Sequence, residues 1–114
     1  MINAQFKKGA LELCVLVLLL HKDHYGYELV RQISEDIDIA RGTLYPLLKK
    51  MQKDQYLSTY FVSSTEGPQR KYYAITYLGK ERMESLLQEW MHFSESVTRI
   101  LQKNCVLSKG EEGF

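Results

Sequence analysis

The sequence predicts a mainly α-helical domain with a small β-hairpin and a long closing helix. Three observations carry that expectation. Apolar residues recur at helical spacing in four segments. Two stretches rich in tyrosine and β-branched residues flank the turn signal Gly67-Pro68. The last segment keeps a heptad stripe of apolar residues across 83–100. At 114 residues, 45% of them apolar and 25% charged, the chain has the size and balance of one folded globular domain.

The first helix is expected over 4–20. Between Gly9 and Leu20 it is apolar on nearly every face except at Glu12, and a helix apolar all round is buried all round. In so small a domain, that burial implies a second chain as well as its own. The apolar run 13–20 is far shorter than the roughly 20 residues that cross a bilayer, so no membrane span is expected. The opening MINAQFKK lacks the charged, apolar and small-residue order of a signal peptide. A cytoplasmic location is the expectation that follows.

After the polar break HKDHYG, the segment YELVRQISEDI sets Leu29, Ile33 and Ile37 four apart, an amphipathic helix whose exposed face is mixed in sign. His21 and His24 flank Asp23 in that break. Three candidate ligands in an exposed turn read as solvated side chains rather than a metal site. Cys14 and Cys105 stand far apart and outside any CxxC pair, so neither a disulfide framework nor a cofactor is expected.

A short DIDIA connection leads to RGTLYPLLKKMQK, where Leu44, Leu47, Leu48 and Met51 form an inner stripe. Lys49, Lys50 and Lys53 occupy what remains. Pro46 admits two helix starts. With Thr43 as N-cap, Pro46 falls in the first turn and no backbone donor is missed; a start at Arg41 loses one bond and bends the helix.

YLSTYFVSS and RKYYAIT then form the hairpin, with TEGPQ as its turn. Alternation puts Tyr73 and Ile75 on one face and Tyr72 and Ala74 on the other, so one of the two tyrosines faces the core. The last helix is expected over 76–103. Met83, Leu86, Trp90, Phe93, Val97 and Ile100 follow the a and d spacing of a helix-pairing seam, widened by Leu87 and Leu101. Too short to stand as an isolated coiled coil, it should pair with support from another element. The expected organisation is therefore a compact unit over 1–76, a dimerisation helix over 77–103 and a polar tail over 104–114.

Charge is distributed unevenly along this order. Arg41, Lys49, Lys50, Lys53, Arg70 and Lys71 face only Asp54 and Glu66 within 41–71, leaving +4 there and −3 elsewhere in a chain of net charge +1. A localised basic segment is the electrostatic footprint of polyanion binding. Two helices joined by a tight turn, followed by a hairpin with Arg70-Lys71 beside its tip, outline a winged helix-turn-helix. In that architecture the second helix enters the major groove and the wing reaches the neighbouring backbone.

YGYEL, GTLYPLLKKM and GPQRKYYAIT followed by Gly79, in this order and spacing, resemble the PadR family of bacterial transcriptional regulators over about residues 4–101. The resemblance implies a dimeric repressor whose C-terminal helix dimerises, of the subgroup with a single closing helix. Ala40 departs from the serine that relatives often carry there, which leaves the start of the recognition helix open. Arg41 and Thr43 are the candidates for base edges, and Gly42 lets the backbone come close. Tyr45, Lys49, Lys53, Arg70 and Lys71 are assigned to phosphates of a double-stranded operator. The resemblance further implies that Trp90 lines a site for a small planar hydrophobic effector; packing of Trp90 as core is the alternative. A winged-helix module that binds protein instead of DNA would need an apolar patch on the recognition helix, where the lysines stand. An enzyme is not expected, because no grouping of nucleophile, base and orienting residue is present.

Overall fold

The structure, a computed structural model, describes residues 4–104. Apart from Asn104, the tail expected at 104–114, Cys105 included, lies outside the described residues. Helix α1 (Ala4–His21) is followed by a two-residue strand β1 (His24–Tyr25), α2 (Gly26–Ser34), α3 (Arg41–Lys53), β2 (Leu57–Ser64), β3 (Gly67–Ile75) and α4 (Tyr77–Lys103). The strands form one antiparallel sheet in the order β1-β3-β2. The polar break after α1 is thus partly a strand.

Leu11, Val15, Leu16 and Leu19 bury one side of α1 against Leu29 and Ile33 of α2, Leu44, Leu48 and Met51 of α3, and Leu57 and Tyr73 of the sheet. Each such side chain contributes about 1.5 to 3 kcal/mol when taken from water. Val17 and Leu20 remain exposed. Burial of α1 on every face is therefore not achieved within one chain, because a single layer of α2, α3 and sheet covers only the side it packs on. Glu12 of α1 accepts from Arg82 of α4 at 2.7 Å, fastening the two helices with a part-buried ion pair.

The hairpin is tighter than TEGPQ suggests. Strand β3 already begins at Gly67, leaving Thr65 and Glu66 as the turn, with the Glu66 N–H donating to Ser64 Oγ at 3.3 Å. As expected from alternation, Tyr73 is buried while Tyr72 lies on the outer face. His24 pairs with Tyr73 and also points inward, 1% exposed, so it is not the solvated side chain expected of this turn. Its Nδ1 lies 3.6 Å from Glu28 Oε1, and neither ring nitrogen has a hydrogen-bond partner among the described residues.

The start of α3 is resolved in favour of Arg41. Ala40 is the N-cap residue with no side-chain cap, and the Thr43 N–H donates to the Ala40 carbonyl at 3.0 Å. Pro46 consequently lies inside the helix, and the Gly42 carbonyl that its missing N–H would have met stands at an exposed residue where water can satisfy it.

Where α4 leaves the sheet, its first turn is locked to the end of α3. Thr76 caps it, accepting from the Gly79 N–H at 2.9 Å and donating to the Gln55 carbonyl at 2.7 Å. Gly79 is required there, since a Cβ would sit 2.2 Å from the Tyr56 carbonyl oxygen. Gln55 supplies the turn with a φ of 67°, a left-handed conformation.

Candidate nucleic-acid interface

Helix α3 has two chemically distinct faces. Leu44, Leu47, Leu48 and Met51 are buried, while Arg41, Gly42, Thr43, Tyr45, Lys49, Lys50 and Lys53 are exposed. Lys50 is set apart from its neighbours. Its ammonium donates to Asp54 at 2.9 Å, so the hydrogen bond holds Lys50 above and Asp54 below their ordinary ranges. Lys49 and Lys53 make no such hydrogen bond among the described residues, and Lys53 meets Asp54 only through longer-range attraction.

Tyr45 is placed by α2. A Cβ on Gly26 would approach the Tyr45 ring to 2.8 Å, so a glycine at the first position of α2 lets the two helices close on this tyrosine. Tyr45 in turn joins Arg70 and Lys71 of the wing in one cleft of about 290 Å³, floored by Tyr25, Gly26 and Tyr73. The wing cations and the recognition helix thus share a single concavity. Arg70 is exposed and Lys71 half-buried, with its ammonium 5.5 Å from the centre of the Tyr73 ring.

Four residues outside the sequence-predicted site sit among these groups. Tyr25, Tyr72 and Tyr60 occupy facing positions on β1, β3 and β2, because Tyr25 pairs with Tyr72 and Tyr60 with Tyr72. Tyr27, on α2, stacks on Tyr25 with ring centres 6.4 Å apart. The motif YGYEL signalled two of the four; their meeting depends on a strand too short to announce itself.

The seam expected on α4 divides. Met83 is 9% exposed and belongs to the core of its own chain, with Leu86 half-buried beside it. Within the single chain, Met83 is thus already covered by the core. Trp90, Phe93, Val97 and Ile100 are exposed, Trp90 at 41% and Ile100 at 60%. Between α1 and α4 lies a second cleft of about 260 Å³, lined by Ala10, Leu13, Leu86, Glu89, Trp90 and Phe93 among others. Trp90 is not a core residue of the single chain; it forms a wall of this cleft.

His21, Asp23 and His24 do not converge, and the described residues hold no group of three or more potential metal ligands. The Asp23 carboxylate accepts instead from the Tyr60 hydroxyl at 2.7 Å. Burial pushes the Cys14 thiol up, away from reactive thiolate. Among the described residues no helix is long and apolar enough to cross a membrane.

Fold and basic face together define a winged helix-turn-helix DNA-binding regulator. Residues 15–85 match the transcriptional regulator PadR-like family, and the chain belongs to it. A Streptococcus transcriptional regulator of known crystal structure is 41% identical, with 84% of this chain and 96% of that chain covered and a TM-score of 0.76. A PadR-like transcriptional regulator from Bacillus cereus is 38% identical over 86% of this chain and 97% of its own, with a TM-score of 0.77. An uncharacterised protein of Lysinibacillus sphaericus is 32% identical over 90% of this chain and 97% of its own length. Family and neighbours are transcriptional regulators, not enzymes.

Proposed function

We propose that this chain is a dimeric, sequence-specific repressor that acts on cytoplasmic DNA. The observation that carries this reading is the juxtaposition of Tyr45, on the exposed face of α3, with the wing cations across one cleft. Arg41 and Thr43 stand in the first turn of α3, where side chains reach base edges, and Gly42 keeps the backbone low. Tyr45, Lys49, Lys53, Arg70 and Lys71 flank them as phosphate ligands. The exposed stripe of Trp90, Phe93, Val97 and Ile100 supports a two-fold dimer, in which paired recognition helices meet half-sites about one helical turn apart, roughly 34 to 36 Å. A planar hydrophobic effector entering the apolar cleft at Trp90 would act on that dimer, because α4 is both a wall of the cleft and the pairing helix.

The test is a salt titration of binding to duplex DNA taken from immediately upstream of the chain's own coding sequence. Affinity should fall steeply as salt rises. Lys71→Ala should weaken binding to operator and random duplex alike and lower the salt slope by roughly one for each phosphate that the lysine neutralises. Arg41→Ala should instead narrow the gap between the two duplexes. Binding that is insensitive to salt overturns the phosphate assignment.

A further inference from the structure

We propose that the tyrosines of the sheet's outer face and α2 are positioning residues, which hold Arg70 of the wing and Arg41 of the recognition helix in one rigid frame. The inference rests on the DNA-binding reading above and concerns how its two arginines are aimed.

The rings form a continuous path. Tyr60 and Tyr72 stack with centres 5.5 Å apart and planes inclined by 16°. Tyr72 meets Tyr25 at 5.6 Å, and Tyr25 stacks on Tyr27 at 6.4 Å and 23°. Separations of this order are those of favourable aromatic pairs. At its outer end the path is pinned by the hydrogen bond from Tyr60 to Asp23, which holds the Tyr60 hydroxyl above its ordinary range and so keeps it a donor.

The arginines stand on neighbouring rings of this path. The Arg70 guanidinium lies 4.7 Å from the centre of the Tyr25 ring, and that of Arg41 lies 5.4 Å from the centre of Tyr27. Both distances are within reach of cation–π attraction. One arginine comes from the wing and the other from the start of α3, and the rings beneath them are stacked on each other. A free arginine would lose several rotamers on meeting DNA; one already seated on a ring loses fewer. A guanidinium seated by its face on a ring would keep its edge N–H groups for phosphate or base contacts, so such stacking does not compete with them. Tyr25 and Arg70 both line the cleft that Tyr45 and Lys71 share, so the ring fixes Arg70 where a phosphate would enter.

Two double-mutant cycles test this on the full chain, using a labelled random-sequence duplex at low salt and the duplex from upstream of the coding sequence. Tyr25→Leu should weaken binding about threefold or more, Tyr25→Phe should bind within about a factor of two of the parent, and Tyr25→Leu should add nothing once Arg70→Ala is present. Tyr27→Leu paired with Arg41→Ala should behave likewise. Tyr27 is exposed on α2 and outside the sheet, so this second cycle decides the matter if Tyr25→Leu does not fold by its melting curve. Losses that are the same with and without the arginine, or no loss on removing either ring, overturn the positioning role. A parent chain that binds neither duplex at low salt overturns the DNA-binding reading instead.

Discussion

The two halves of α4 share one helix and one heptad pattern but meet different surroundings. In the first turns Gly79 packs against the Tyr56 carbonyl, Met83 enters the core and Arg82 reaches Glu12 of α1. Beyond Leu87 the same apolar spacing presents Trp90, Phe93, Val97 and Ile100 to solvent. Periodicity reports which side chains of a helix share a face; it does not report whether the chain's own core or a second copy covers them. The near half is a folding element, and the far half is an apolar face that the described residues leave in water.

If that division holds, the largest effect should come from charge in the far half. Val97→Asp or Ile100→Asp should leave the melting curve of the dilute, monomeric chain nearly unchanged. Each should weaken the proposed dimer by about 3 to 5 kcal/mol, because an unpaired carboxylate would be buried in the seam. Sedimentation equilibrium across a concentration series reads this directly. A parent chain that sediments as a monomer at micromolar concentration would break the dimer side of the comparison.

Met83→Ala reverses the pattern. It deletes a buried side chain from the core of the single chain, so unfolding should become easier by about 2 to 4 kcal/mol while the dimer dissociation constant of the folded protein changes little. Denaturant titration beside sedimentation separates the two readouts. An equal loss of dimer affinity would place Met83 in the seam.

Much of this architecture is legible in the sequence. The four helices follow from their apolar spacing, the wing from its tyrosines and Gly67-Pro68, and the basic face from the clustering of lysine and arginine within 41–71. What escapes has a physical reason in each case. Two residues of β1 carry no periodicity, yet their pairing with β3 buries His24 and carries Tyr25 onto the tyrosine path. The start of α3 does not rest on a side-chain cap, since Ala40 offers no acceptor and Thr43, which could have served as one, lies inside the helix. The arginine and ring partnerships join residues 14 and 45 positions apart, Tyr27 with Arg41 and Tyr25 with Arg70. Only the closed sheet and the helix pair bring them together.

Trp90 lies just past the division and should respond as a surface residue. At 41% exposure its replacement by alanine should cost the single chain less than about 2 kcal/mol, well short of the roughly 3 to 5 kcal/mol of a core aromatic. Planar aromatic compounds should quench its fluorescence, and Trp90→Ala should weaken their binding without abolishing association with DNA. Full core-sized destabilisation, with no quenching by any such compound, would assign Trp90 to the near half.

The smallest effect should arise at Gln55, which tests how firmly the near half is fastened. Its φ of 67° obliges a residue with a Cβ to hold the left-handed conformation, which costs roughly 1 to 2 kcal/mol, while its carbonyl accepts the Thr76 hydroxyl that caps α4. Gln55→Gly removes that strain but adds freedom to the unfolded chain, about 0.5 to 1 kcal/mol in opposition. A net gain of about 0.5 to 1 kcal/mol in unfolding free energy should remain. Gln55→Val, branched at Cβ, should lose stability at the same site, because its side chain tolerates positive φ worst. Neither change should alter the dimer dissociation constant or the quenching of Trp90, since the strain is confined to the turn that delivers the Tyr56 carbonyl to Gly79. If Gln55→Gly destabilises the chain instead, the turn is held by contacts of the glutamine side chain, and the fastening of α4 does not rest on backbone geometry alone.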